Sequence, residues 1–132
     1  DMTVQYMEKS LEESPNNVMT LNNLAYTLLK CSKPDPKRAL KLVNQAIEKI
    51  PNVKVGKQVA TYFYDTKGTV LMQLKQWPEA IASYERAIED RPDNIEVLTN
   101  LIECLEKSGA KGDINGYKER LSKAKSSKAD SK

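Results

Sequence analysis

The chain has 132 residues, 39% of them hydrophobic and 30% charged, with a formal net charge of +3; this length suits one domain, or one piece of a longer array, and buries roughly two-thirds of the unfolded surface. No run approaches the ~18 to 20 apolar residues that span a bilayer, and Asp1-Met2-Thr3 opens neither the basic nor the apolar segment of a signal peptide. The positive charge is a property of the tail: from Tyr117 onward six Lys or Arg stand against two acids, which leaves −1 for everything before and argues against the broad basic surface that nucleic acid requires.

Residues 1–15 are predicted to be one helix that ends at Pro15. Residues 18–52 are predicted to be a helix pair, with the stripe Leu21, Leu24, Ala25 and Leu28 on the first member. The turn Cys31 to Pro36 separates the two, and Asp35-Pro36 reads as an N-cap followed by Pro at the first helical position. Between Pro51 and Thr61 the chain carries surplus residues; Asn52 to Gly56 is read as a longer surface loop or an early start of the next helix. Residues 61–94 are predicted to be a second pair, with Tyr64, Lys67, Gly68 and Leu71 on its first helix. Residues 95–125 hold a third first-type helix with Leu98, Leu101, Ile102 and Leu105, then the turn Gly109 to Gly112, then a helix capped by Asp113. That last helix carries Ile114, Tyr117, Leu121 and Ala124 on one face. From Ser122 the chain turns to Ser, Lys and Ala, so residues 126–132 are expected to be disordered.

A ruler recurs along the chain. Ala80, Tyr84, Ala87 and Pro92 stand at offsets 0, 4, 7 and 12, and the same offsets select Ala39, Val43, Ala46, Pro51 and also Thr3, Met7, Ser10, Pro15. Offsets of 4 and 7 share a helix face, small residues there admit a neighbouring helix, and the Pro stops the helix. The pattern of helix, turn, helix, Pro resembles the tetratricopeptide repeat, W-x2-L-G-x2-Y…A-x3-F…P over ~34 residues. Its best copy runs ungapped from Thr61 to Asn94, with Tyr64, Gly68, Leu71, Ala80, Tyr84 and Pro92 at the signature positions. Lys67 departs from the expected Leu and is read as exposed or snorkelling. The resemblance covers residues 1–125 and implies an all-α, right-handed α-solenoid of about three repeats with a C-terminal capping helix, residues 1–15 being the second helix of a preceding repeat. A fragment of a longer protein is the expectation.

Catalytic chemistry has little to work with. No histidine occurs, which removes the commonest general base and metal ligand, and no glycine-rich phosphate loop is present. Glu8/Glu12 and Glu85/Glu89 have helix-surface spacing. Lys111-x-Asp113-x-Asn115-Gly116 puts Lys111 and Ser122 where a calcium loop needs carboxylates, so a capping turn is the reading. Cys31 and Cys104 form no CxxC pair and are read as reduced and partly buried. Lys118, Arg120, Lys123, Lys125 and Lys128 lack interleaved aromatics and read as a solubilising face. Trp77, in the turn before Pro78, is read as core support. No catalytic residue, metal ligand or cofactor is expected.

The resemblance implies that the first helix of each repeat lines a concave face that takes a peptide or protein. Carried over residue by residue, that groove is Met19, Asn22, Asn23 and Tyr26, then Tyr62, Asp65, Thr66 and Thr69, then Glu96, Thr99, Asn100 and Glu103. Tetratricopeptide domains that clamp a chaperone's C-terminal carboxylate use cations here; this chain has Asn22, Tyr26, Thr66, Glu96 and Asn100 at those places, so such a clamp is not expected. The texture LNNLAYTLL followed by YDTKGTVLMQLKQWPEA resembles bacterial members, envelope lipoproteins among them, with cytoplasm and envelope both open. The expected function is an interaction scaffold, without nucleic acid or membrane insertion. The alternatives are self-association into a homo-oligomer, or a non-catalytic domain of a larger enzyme or lipoprotein.

Overall fold

The computed structural model describes residues 2–50, 56–109 and 112–130, and among these it contains helices and no strand. In chain order they are α1 Met2–Glu13, α2 Val18–Lys30, α3 Pro36–Lys49, α4 Lys57–Gln73, α5 Trp77–Asp90, α6 Ile95–Ser108 and α7 Ile114–Asp130.

Local chemistry sets the helix ends. Each of two junctions has the order Pro, one residue, Asn, and in each the Asn side chain satisfies an orphan N–H of the next helix. Asn17 Oδ1 accepts from Thr20 N at 3.1 Å, and Asn94 Oδ1 accepts from Val97 N at 3.1 Å. Asp35 caps α3 by accepting from Arg38 N at 3.1 Å, with Pro36 behind it. Asp113 caps α7 through Gly116 N at 3.0 Å, while Gly109 ends α6 in the left-handed region at φ 68°, where no side chain is needed.

The two turns inside the helix pairs differ in length and close alike. Asp35 N donates to Leu28 O and Gln76 N to Leu71 O, both at 2.9 Å. The longer first turn, Cys31 to Asp35, is accommodated by capping, whereas the tight second one places Lys75 at φ 60°. Asn52 to Val55 lie outside the described residues, as do Ala110 and Lys111. Of the two readings offered for the surplus residues, an early start is observed: α4 has 17 residues against 13 in α2.

Packing follows the ruler. Ala39, Val43 and Ala46 of α3 and Ala80, Tyr84 and Ala87 of α5 are all buried. Gly68 lets α4 meet α5 closely: a Cβ built there would stand 2.6 Å from Tyr84 Cε1. Successive helices pack on one another, and α2 also touches α4, as α4 touches α6, while α3 and α5 make no comparable contact. The first helix of each pair thus forms an inner layer, and the array bends toward it. The core is strung along the stack in two clusters, one around Leu24, Val43 and Phe63, the other around Tyr84, Leu98 and Leu101. Helix α4 serves both, through Phe63 and Val70 on one side and Leu71 on the other, the nearest-neighbour logic of a solenoid.

The ends depart from the pattern. In α1, Met7 and Ser10 are half-buried and Thr3 is exposed, because α2 is the main helix packed on it among the described residues. Helix α7 shields the second cluster with Ile114, Tyr117 and Leu121, and Arg120 ties it back by donating to Pro92 O at 2.9 Å. The tail expected to lose order from residue 126 is helical to Asp130; Lys and Ala favour helix, and Lys128 in the last turn suits the helix dipole. Lys67 is half-buried. Both cysteines are free. Burial pushes the Cys104 thiol up to about 11, whereas Cys31 is half-buried beside the Lys33 carbonyl. Iodoacetamide at pH 8 is therefore expected to label Cys31 first, with Cys104 reacting only on addition of urea; mass spectrometry of the digested protein reads the order.

Candidate interaction groove

The inner layer encloses a hollow of about 490 Å³ lined from four helices. Its wall includes Met19, Asn22, Asn23, Tyr26, Tyr62, Asp65, Thr66, Thr69 and Glu96, all of them positions that the repeat resemblance implied. Met7 and Thr27 complete it. Asn22 and Thr66 are buried at 7% exposure each, while Met19, Tyr26 and Tyr62 remain 41%, 45% and 47% exposed. Large apolar side chains held open above a polar floor offer a guest contact area.

Thr99, Asn100 and Glu103 do not line this hollow. Asn100 lines a second one of about 490 Å³ on the same face, together with Lys30, Thr69, Met72, Gln73, Lys75, Trp77, Glu96 and Lys107. Glu103 is held by Lys107 at 3.4 Å, and the Thr99 hydroxyl is spent on the Ile95 carbonyl at 2.7 Å. Trp77 packs against the second cluster, as read from sequence, and in addition lines the second hollow under Lys107, whose Nζ stands 5.5 Å from its ring.

The sequence reading missed the lysines at this end. Lys30 and Lys107 stand in the last turns of α2 and α6 and Lys75 in the turn after α4, and no spacing rule links them. The left-handed backbone at Lys75 is the one local hint, since a non-glycine residue in that region marks a constrained position.

The first hollow has the opposite sign. Its charged lining residues, among those described, are Asp65 and Glu96. Burial first and the Glu96 charge second push the Asp65 carboxyl up to about 6, with Arg91 opposing them. Arg91 itself lies 5.6 Å from the Tyr62 ring and donates to its hydroxyl at 3.2 Å. Asn22 Oδ1 is buried without a hydrogen-bond partner, an arrangement that costs stability in a resting protein. Thr69 is saturated: its hydroxyl sits 3.0 Å from Asp65 O and 2.9 Å from Tyr84 Oη.

Elsewhere the carboxylates serve structure. Glu8 pairs with Arg38 at 2.8 Å, Glu89 with Arg86 at 3.3 Å, and Glu85 accepts from Tyr117 Oη at 2.8 Å. No group of three His, Cys, Asp or Glu side chains that would hold a metal ion occurs among the described residues, and no described helix is long and apolar enough to cross a membrane.

Comparison with known proteins matches this architecture. Residues 6–41 match the family model described as tetratricopeptide repeat, and residues 68–107 match that described as TPR repeat. Hsp70-Hsp90 organizing protein 3 of Arabidopsis thaliana is 26% identical over 126 residues, which is 92% of this chain and 21% of that protein; the chain thus spans about a fifth of the relative's length. Among solved structures, MamA from MSR-1 aligns with a TM-score of 0.76 at 20% identity, over 97% of this chain and 68% of its own. MamA from AMB-1 gives 0.77 at 21%, over 96% and 70%. The repeated ruler, the nested helix pairs and the family matches agree: the chain is an α-solenoid belonging to the tetratricopeptide-repeat family.

Proposed function

We propose that the chain is a protein-interaction scaffold that holds an extended segment of a protein partner along the inner face of α2, α4 and α6, and that it performs no catalytic step. The observation that carries this reading is the run of two adjoining hollows on the inner layer, with exposed Met19, Tyr26 and Tyr62 over a polar floor. Exposed aromatics of this kind supply contact area at small entropic cost. Asn23, exposed beside them, offers an amide donor and acceptor to a partner backbone. The reading also draws on the name of the curated relative, which organises Hsp70 and Hsp90. A carboxylate-terminated chaperone tail is not the proposed guest: Asn22, Tyr26, Thr66, Glu96 and Asn100 offer it no cation, and Glu96 repels it.

The test uses Tyr26→Ala combined with Tyr62→Ala, since both rings are exposed and their loss spares the core. Capture of partner proteins on the immobilised chain is expected to fall at least tenfold, with urea unfolding moved by less than about 1 kcal/mol. Capture unchanged by both substitutions would remove the inner face from the reading.

A further inference from the structure

Resting on the groove reading, we infer that the hollow between α2, α4 and α6 is a receptor for a cationic side chain, a lysine or arginine carried by the bound segment of a protein partner. Three independent features converge there. Asp65 and Glu96 give the hollow two carboxylates and, among its described lining residues, no cation. Asn22, 93% buried on the same wall by its 7% exposure, has an acceptor oxygen with no partner. Tyr26 and Tyr62 stand exposed at the rim, and each ring already draws one of the chain's own cations, Lys30 Nζ at 5.5 Å from Tyr26 and Arg91 at 5.6 Å from Tyr62, so the rim is one that cations favour. A guanidinium or ammonium donates in several directions at once and accepts nothing, which matches a site made of acceptors and aromatic faces.

The chain's own cations, Lys30 and Arg91, stand over the rim tyrosines and are not among the residues that line the hollow. The charged groups acting on Asp65 are Glu96 of α6 and Arg91 at the α5–α6 junction, and the neighbouring Tyr84 hydroxyl of α5 is neutral. Arg91 is engaged with Tyr62 and does not line the hollow, and the Asp65 carboxyl stays raised to about 6 in spite of it. A guest cation would supply what Arg91 does not. A calcium ion fits less well, because it takes six to eight oxygen ligands and the described residues hold no cluster of three metal-binding side chains.

The experiment uses the purified full chain and fluorescein-labelled nine-residue Gly-Ser peptides whose central residue is Arg, Lys, norleucine or Glu, read by anisotropy at low salt. The Arg and Lys peptides are expected to bind at least tenfold more tightly than the other two at pH 7.5. Their advantage should shrink about tenfold by pH 5, as Asp65 takes up its proton, and vanish in Asp65→Asn combined with Glu96→Gln. Equal affinity for the Arg and norleucine peptides, cation binding untouched by that double variant, or no binding of any peptide at millimolar concentration would each overturn the inference. Its failure is distinguishable from that of the groove reading. A norleucine or Glu peptide whose binding is lost in Tyr26→Ala/Tyr62→Ala retains the groove without the charge selectivity, while binding indifferent to those tyrosines removes the groove itself.

Discussion

Tyr84→Ala is expected to cost about 3 to 5 kcal/mol of stability, the range for removing a large buried aromatic, measured by urea unfolding followed at 222 nm. Tyr84 is fully buried at the centre of the second cluster, its ring lies against the backbone of Gly68, and its hydroxyl meets Thr69 at 2.9 Å. Tyr84→Phe removes only the hydroxyl and should cost about 0.5 to 1.5 kcal/mol. Gly68→Ala approaches the same contact from the other side. The added Cβ would press on Tyr84 Cε1 at 2.6 Å, and a ring packed on every side has nowhere to go. Overpacking of about 1 to 3 kcal/mol outweighs the gain of up to about 1 kcal/mol in helix propensity. In a Tyr84→Leu background the alanine should cost much less, so the two substitutions are expected to couple strongly in a double-mutant cycle. Additive effects would mean that the small-to-large match of α4 and α5 is not what sets their approach.

Asp65→Asn is expected to stabilise the protein at pH 7.5 and to leave it nearly unchanged at pH 4. The sign follows from the direction of the shift. Asp65 is raised from 3.8 to about 6 in the folded chain, so between those values the native state holds a proton that the unfolded state has lost, and stability falls as pH rises. Below 3.8 both states are protonated and the penalty vanishes; above 6 it is fully present. A shift of this size corresponds to about 3 kcal/mol, an upper figure for the gain in the Asn variant. With no histidine in the chain, Asp65 is, among the described residues, a carboxyl that burial moves into the neutral-to-acid range, and a pH series of urea unfolding curves on both proteins follows it. Equal pH dependence in the two would place the penalty elsewhere. A carboxylate kept at such cost in an open hollow is what a binding surface, rather than a stability-optimised fold, would retain.

The helices, their pairing and the inner face were legible in the amino-acid order because each follows from a short-range rule. Pro15, Pro36 and Pro92 punctuate helices through a missing N–H and a fixed φ, Asn17 and Asn94 cap them through contacts three residues away, and offsets of 4 and 7 sort side chains onto one face. The resemblance of the repeat implied Asn22, Tyr26, Tyr62, Asp65 and Glu96 as groove positions, and the fold gathers them around one hollow. What the order of residues did not determine depends on distances between helices. The orphaned oxygen of Asn22, the raised Asp65 and the meeting of Lys30, Lys75 and Lys107 beside Trp77 arise from side chains brought together across different helices or from burial by a neighbouring helix. Helical periodicity fixes the direction in which a side chain leaves its own helix; only the stacking of one pair on the next fixes what it meets there, and so gives the trough one acidic and one lysine-bearing end.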